Sequence, residues 1–198
     1  MLYTNKKTLI KCPLKIWFTF VCPSIIITLE RRLMHTTKWL IKLVVTFFGL
    51  GYSPKAPGTV GSLGALTLWA GLSFMFHTPW ILPVCITFCL ALSLLCIPYY
   101  LHTSAEKDPQ KIVIDEAVGV FTMLMLIPLS PPYIGLGFIL FRVLDIWKPW
   151  PISWIDQFGG TTPKNTISII GDDILAGLLA GALTQCAFFL LQKTSVSF

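Results

Sequence analysis

The 198-residue chain has nine acidic residues, and eight of them fall between positions 106 and 173. They are Glu106, Asp108, Asp115, Glu116, Asp145, Asp156, Asp172 and Asp173; only Glu30 lies elsewhere. Two adjacent pairs stand out, Asp115-Glu116 and Asp172-Asp173, each at the opening of an apolar segment. A carboxylate near a helix N-terminus interacts favourably with the macrodipole, by about 0.3–1 kcal/mol, and Asp can cap a helix. That serves for Asp172 alone. It does not account for the doubling, because a neighbouring carboxylate opposes ionisation of the first. Two doubled pairs beside a low-dielectric phase ask for a cation, and oxygen-only donors favour Mg²⁺ or a similar hard ion.

Basic residues stand near these acids. In Arg142-Val143-Leu144-Asp145-Ile146-Trp147-Lys148 the three charged positions are three apart, roughly on one helical face. They read either as a local ion-pair ladder at a membrane interface or as a charged row facing the bundle. In the second reading Arg142 holds a phosphate by bidentate bonds, Lys148 adds point charge and Asp145 binds the metal. Pro149 and Pro151 end the helix just beyond. A weaker anion seat is the turn Pro57-Gly58-Thr59-Val60-Gly61-Ser62, where small residues open a helix and expose backbone N–H groups. Thr59 and Ser62 add hydroxyls there, and Lys55 lies close by. His35, His77 and His102 are isolated and read as interfacial or solvated. The six cysteines form no Cys-x-x-Cys pair; Cys85, Cys89 and Cys96, at helical spacing, read as small hydrophobes. The chain has no Asp-x-Asp, Ser-Gly-His, Asp-Gly or Gly-Lys and no Cys followed six residues later by Arg. Several other phosphate chemistries, the P-loop among them, are thereby set aside.

The elements that carry these groups are apolar. Hydrophobic residues make up 55% of the chain and charged ones 12%, half the usual share, and mean hydropathy is +0.75. Ala56 to Ala105 is a run of 50 residues with no Asp, Glu, Lys or Arg; Ala117 to Phe141 is another of 25, and Ile174 to Gln192 a third of 19. A charge at the bilayer centre costs roughly 2.5–3.5 kcal/mol, and about 20 apolar residues span a bilayer. A disordered chain is excluded, and an integral membrane protein follows. Spans are expected at about Val60 to Phe76, Pro79 to Leu101, Ile112 to Leu129, Tyr133 to Trp147 and Asp172 to Leu191. Trp39 to Leu50 is too short to cross and reads as an interfacial or re-entrant helix. Gly177 and Gly181 have the spacing that lets helices approach closely in lipid. Strands have no support.

Alternation of spans puts the loops 51–59, 102–111 and 148–171 on one side, together with Lys55, Lys107, Lys111, Lys148 and Lys164. The positive-inside rule makes that side cytoplasmic. The turns 77–79 and 130–132 carry no Asp, Glu, Lys or Arg. A one-sided ionic face suits an enzyme acting on lipid headgroups better than a pump or channel, which needs charges at mid-depth. Residues 1–33 read as an N-terminal extension or leader, or as sequence upstream of a start at Met34; residues 34–198 form a single membrane domain. The net charge of +6 is mostly the leader's, which carries +5. That charge favours anionic lipid, and no nucleic-acid partner is expected.

Four segments resemble the phosphatidylglycerophosphatase A family of bacterial membrane lipid phosphatases. They are Ser53-Pro54-Lys55-Ala56-Pro57-Gly58-Thr59-Val60-Gly61-Ser62, Lys107 to Glu116, Phe141 to Pro151, and Asp172-Asp173-Ile174-Leu175-Ala176-Gly177. Order and approximate spacing match from about Trp39 to Leu191. Residues 1–33 have no counterpart, and the linker between Gly160 and Asp172 is longer than the family's. The resemblance implies an all-α, multi-span bundle with a helix at its centre. It implies Mg²⁺-dependent hydrolysis of phosphatidylglycerophosphate to phosphatidylglycerol and phosphate, at the cytoplasmic face of the bacterial inner membrane. Asp115, Glu116, Asp172 and Asp173, with Asp145, would hold Mg²⁺; Asp115, Glu116, Asp145 and Arg142 would be catalytic. Lys55, Thr59, Ser62, Arg142 and Lys148 would take the phosphate. Water or a carboxylate could be the nucleophile, and oligomeric state is open. The rivals are a non-enzymatic ion carrier or scaffold and a phosphatase of another phosphomonoester.

Overall fold

The computed structural model describes residues 23–103, 109–157 and 165–195. Among them are seven α-helices, two 3-10 turns and no strand. In chain order the helices are α1 (Pro23–Val45), α2 (Pro57–Phe76), α3 (Ile81–Thr103), α4 (Ile114–Leu126), α5 (Pro131–Trp147), α6 (Ile152–Asp156) and α7 (Thr166–Ser195). The chain divides into two units, Met1–Trp39 and Leu40–Phe198. The second carries the bundle.

The short helix α4 is its centre. Nine of its residues, Ile114, Asp115, Ala117, Val118, Gly119, Val120, Phe121, Met123 and Leu124, are buried. Helices α2, α3, α5 and α7 all pack on it. A helix apolar on every side can be stable only when surrounded, and α4 is surrounded by protein. Its neighbours are apolar outward as well: Phe74, Val84, Phe88, Leu95, Ile139 and Phe189 are exposed. Such a surface is what lipid covers. Helices α2, α3 and the stretch Thr166–Lys193 of α7 are long and apolar enough to cross a membrane. At 13 residues α4 is about 20 Å long, short of a roughly 30 Å hydrocarbon core, and the 17 residues of α5 also fall short. Five expected crossings thus become three helices of crossing length and two shorter ones packed among them.

Close helix approach sets the arrangement. A methyl group on Gly177 would overlap the Gly119 carbonyl, and one on Gly119 would meet the Asp173 carbonyl oxygen at 2.7 Å. Helices α4 and α7 therefore cross with backbone against backbone at Gly119 and Gly177. Gly181 continues the crossing, with a Cβ position 2.8 Å from Leu126. The packing expected of Gly177 and Gly181 is what the fold uses. Cys85 and Cys89 are buried and unpaired, as small hydrophobes would be.

Three expected boundaries change. Helix α7 starts at Thr166, so Asp172 and Asp173 lie inside it, about two turns from its first residue. A cap or macrodipole role for Asp172 is ruled out by that distance, because both effects fade within the first turn. The stretch expected as one loop, 148–171, contains α6 and the start of α7. Trp39 to Leu50 is not a helix of its own: its first residues end α1, which stops at Val45, and Phe47, Phe48 and Gly49 turn the chain with positive φ. Residues 1–22 and the acids Glu106 and Asp108 lie outside the described residues.

Candidate active site

Because α4 and α7 both begin at the polar end of the bundle, their crossing fixes where the acids meet. Asp115 lies one turn before Gly119, and Asp173 lies one turn before Gly177. Residues four apart share a helix face, so the glycine contact sets the two carboxylates side by side. Glu116 joins them: carboxylate oxygens of Asp115, Glu116 and Asp173 lie within 4.8 Å of one another. The Glu116 carboxylate also reaches the first turn of α2, where a methyl on Gly58 would overlap both it and the Arg142 guanidinium. That helix N-terminus favours negative charge.

The donor set suits a hard cation. Glu116 Oε2 and Asp173 Oδ1 are buried and have no hydrogen-bond partner among the described residues. Buried polar atoms are nearly always satisfied, and two orphaned carboxylate oxygens in one cluster are a strong exception. Three ionised carboxyl groups this close repel one another; an oxygen-coordinated divalent ion would relieve the repulsion and complete the missing bonds. The residues present fit Mg²⁺ or an ion like it.

Two bases flank the cluster, Arg142 tied to one acid and Lys148 to two. Arg142, at the end of α5, donates from Nη1 to Asp145 Oδ2 at 2.7 Å and to Ser62 Oγ at 3.2 Å. Ser62 in turn donates to the Gly58 carbonyl at 2.8 Å. Arg142 Nε is buried without a partner among the described residues. Lys148 follows α5 in a left-handed cap (φ 45°) whose N–H bonds the Leu144 carbonyl at 2.8 Å. Its ammonium donates to Asp156 Oδ1 at 2.8 Å and to Asp172 Oδ2. Burial works against the charge on Lys148, but Asp172 and then Asp156 outweigh it and hold the ammonium above the ordinary lysine range. The expected single row of Arg142, Asp145 and Lys148 therefore holds for its first two members only.

A cavity of about 180 Å³ opens on the cluster and on Lys148, lined by Gln110, Ile112, Asp115, Glu116, Asp145, Lys148, Ile169, Asp172 and Asp173. All five acids expected as metal ligands line it. Asp115, Glu116 and Asp173 form the cluster, whereas Asp145 and Asp172 are engaged by Arg142 and Lys148. Ser62 is buried against Arg142. Lys55 is exposed and Thr59 half-buried, and neither is bonded to the carboxylates. Sequence reasoning missed Asp156, which steadies Lys148, and Ser168, whose hydroxyl bonds the Asp156 carbonyl at 2.6 Å. No spacing rule links these two positions to 148. The Asp-x-x-x-Gly repeat at 115–119 and 173–177 was a legible signal for the pairing of Asp115 with Asp173.

The fold and the site define a class: an all-helical membrane protein with three converged carboxylates and two anchored bases at one end. The family pattern described as Phosphatidylglycerophosphatase A matches residues 43–188. Phosphatidylglycerophosphatase A of Escherichia coli (strain K12) is 37% identical over 163 residues, covering 78% of this chain and 86% of that protein. The Haemophilus influenzae protein of the same name is 36% identical over 141 residues, covering 71% and 83%. A putative phosphatidylinositol-3-phosphatase of Bacteroides thetaiotaomicron is 32% identical over 161 residues, covering 78% and 97%. No solved structure matches significantly. The chain belongs to the phosphatidylglycerophosphatase A family, and it is a phosphoric monoester hydrolase associated with membranes.

Proposed function

We propose that the protein hydrolyses the terminal phosphomonoester of phosphatidylglycerophosphate, releasing phosphatidylglycerol and inorganic phosphate, with Mg²⁺, at the cytoplasmic face of the bacterial inner membrane. The observation that carries the reading is the convergence of Asp115, Glu116 and Asp173 on one cavity with Lys148, beside the anchored Arg142. The names of two similar proteins supply the lipid. Lys55, Lys111 and Lys148 at the site end support the cytoplasmic side.

Asp115, Glu116 and Asp173 would hold the Mg²⁺. When bound, such an ion polarises a phosphoryl oxygen and acidifies water, supplying charge stabilisation without proton transfer. Arg142 is fixed by Asp145 and Ser62, so its remaining N–H groups meet the phosphoryl oxygens without reorganisation. Lys148 has three donors; two engage Asp156 and Asp172, and the third is left for the phosphate. Water attacks phosphorus in line with the glycerol oxygen; the P–O bond to glycerol breaks, and the proton given up by the water ends on the departing glycerol oxygen. The diacylglycerol part stays in the lipid, along the apolar outer faces of the spans.

The test is phosphate release by purified protein from phosphatidylglycerophosphate and, separately, from phosphatidylinositol 3-phosphate, each with Mg²⁺ and with chelator. Release from the first lipid only, and only with the ion, is the expected result. A preference for the second lipid would move the substrate toward that in the Bacteroides relative's name. Equal release in chelator would sink the Mg²⁺ assignment.

A further inference from the structure

We propose that Asp156 is a positioning residue for the reaction: held on α6, it clamps Lys148 from behind so that the lysine faces the phosphate. The inference rests on the reading of Lys148 as a phosphate-binding group. Asp156 does not line the cavity, whereas Lys148 and Asp172, both of which it meets, do line it, so Asp156 acts through those neighbours and does not itself touch the substrate.

The clamp has three parts. The left-handed cap at Lys148 ends α5, so the lysine leaves the helical row that carries Arg142 and Asp145. Asp156 Oδ1 then takes one ammonium N–H at 2.8 Å, and Asp172 takes a second. Ser168, on α7, donates to the Asp156 carbonyl at 2.6 Å and pins the end of α6 to the helix that also carries Asp172 and Asp173. A lysine side chain has four rotatable bonds and large rotamer freedom; an ammonium fixed by two carboxylates has its third N–H aimed in advance. With Asp172 alone, the ammonium could swing about a single contact.

A double-mutant cycle in the detergent-solubilised full-length protein tests this, with Asp156→Asn, Lys148→Met and both together. kcat and KM are read from phosphate release. Asp156→Asn is expected to lower kcat/KM about tenfold, mostly through KM, and Asp156→Glu to restore most of it. In the Lys148→Met background the same change should cost less than about twofold, the mark of two residues acting as one unit. The proposal is overturned if Asp156→Asn alone keeps kcat/KM within about twofold, or if it costs the same factor in both backgrounds. Should Asp156→Asn fail to unfold cooperatively, Ser168→Ala replaces it in the cycle. A loss of about threefold that vanishes without Lys148 then supports the clamp, and an additive loss or none overturns it. Wild-type protein inactive on phosphatidylglycerophosphate but active on phosphatidylinositol 3-phosphate would refute the substrate reading alone. The cycle is then run on the second lipid, where the same losses support or overturn the clamp.

Discussion

In both acidic pairs, Asp115-Glu116 of α4 and Asp172-Asp173 of α7, the first carboxylate accepts the N–H of the second residue at 3.1 Å. There the likeness ends. The α4 pair occupies the first turn of its helix and sends both carboxylates into the cluster. The α7 pair lies about two turns inside its helix and divides: Asp173 joins the cluster, and Asp172 turns to Lys148. Adjacent residues on a helix point about 100° apart, so a helix that passes the cluster sideways delivers one member, while a helix that begins there can deliver both. The number of neighbouring carboxylates in a sequence therefore overstates the number that converge when the pair is embedded in a helix.

The division can be broken by substitution. The largest effect belongs to the cluster: Asp173→Asn, Glu116→Gln and Asp115→Asn should each lower phosphate release by at least about a hundredfold and raise the Mg²⁺ concentration needed for half-maximal rate. Near-normal rates in all three would dissolve the cluster reading. Asp172→Asn should cost about tenfold, since it loosens Lys148, and leave the Mg²⁺ half-point where it was. A shift equal to that of Asp173→Asn would make the two pairs alike after all. Gly177→Ala adds a methyl against the Gly119 carbonyl and should lower stability by about 1 kcal/mol or more, seen as an earlier unfolding midpoint in detergent. An unchanged midpoint would remove the glycine crossing as the device that aligns Asp115 with Asp173. Smallest is Ser62→Ala, which takes one of the two bonds holding Arg142 and should raise KM about threefold at nearly constant kcat. A loss in kcat alone would place Arg142's role in the chemical step.

The parts of the fold legible beforehand are those written locally. Charge-free runs placed helices at about 60–76, 79–101 and 112–129, within a few residues of those at 57–76, 81–103 and 114–126, although the third is too short for the crossing expected of it; Pro, Gly and Ser marked turns beside them. The displaced start of α7 has a clear origin. Ser168, Ile169, Ile170 and Gly171 read as part of the preceding loop because Gly171 and two acids end the stretch; yet Ser168, Ile169 and Ile170 are buried in the bundle, and that packing extends the helix through an unfavourable sequence. Tertiary burial overrides weak propensity. Asp156 was out of reach for a different reason: a lone acid in a Pro- and Gly-rich stretch has no periodicity to read, and its value depends on where α6 sets it against Lys148.

By itself the sequence determined that the chain lives in a membrane, that its ionic groups gather at one end, and which residue types stand there. Those follow from the cost of charge in hydrocarbon, which acts on every residue wherever it packs. The tertiary structure alone decided which carboxylates share a site and which serve a base. That choice rests on the Gly119–Gly177 crossing and on the left-handed cap at Lys148. Hydrogen bonds and ion coordination act over about 3 Å, so a rotation of one helical position changes the partner while leaving hydropathy untouched.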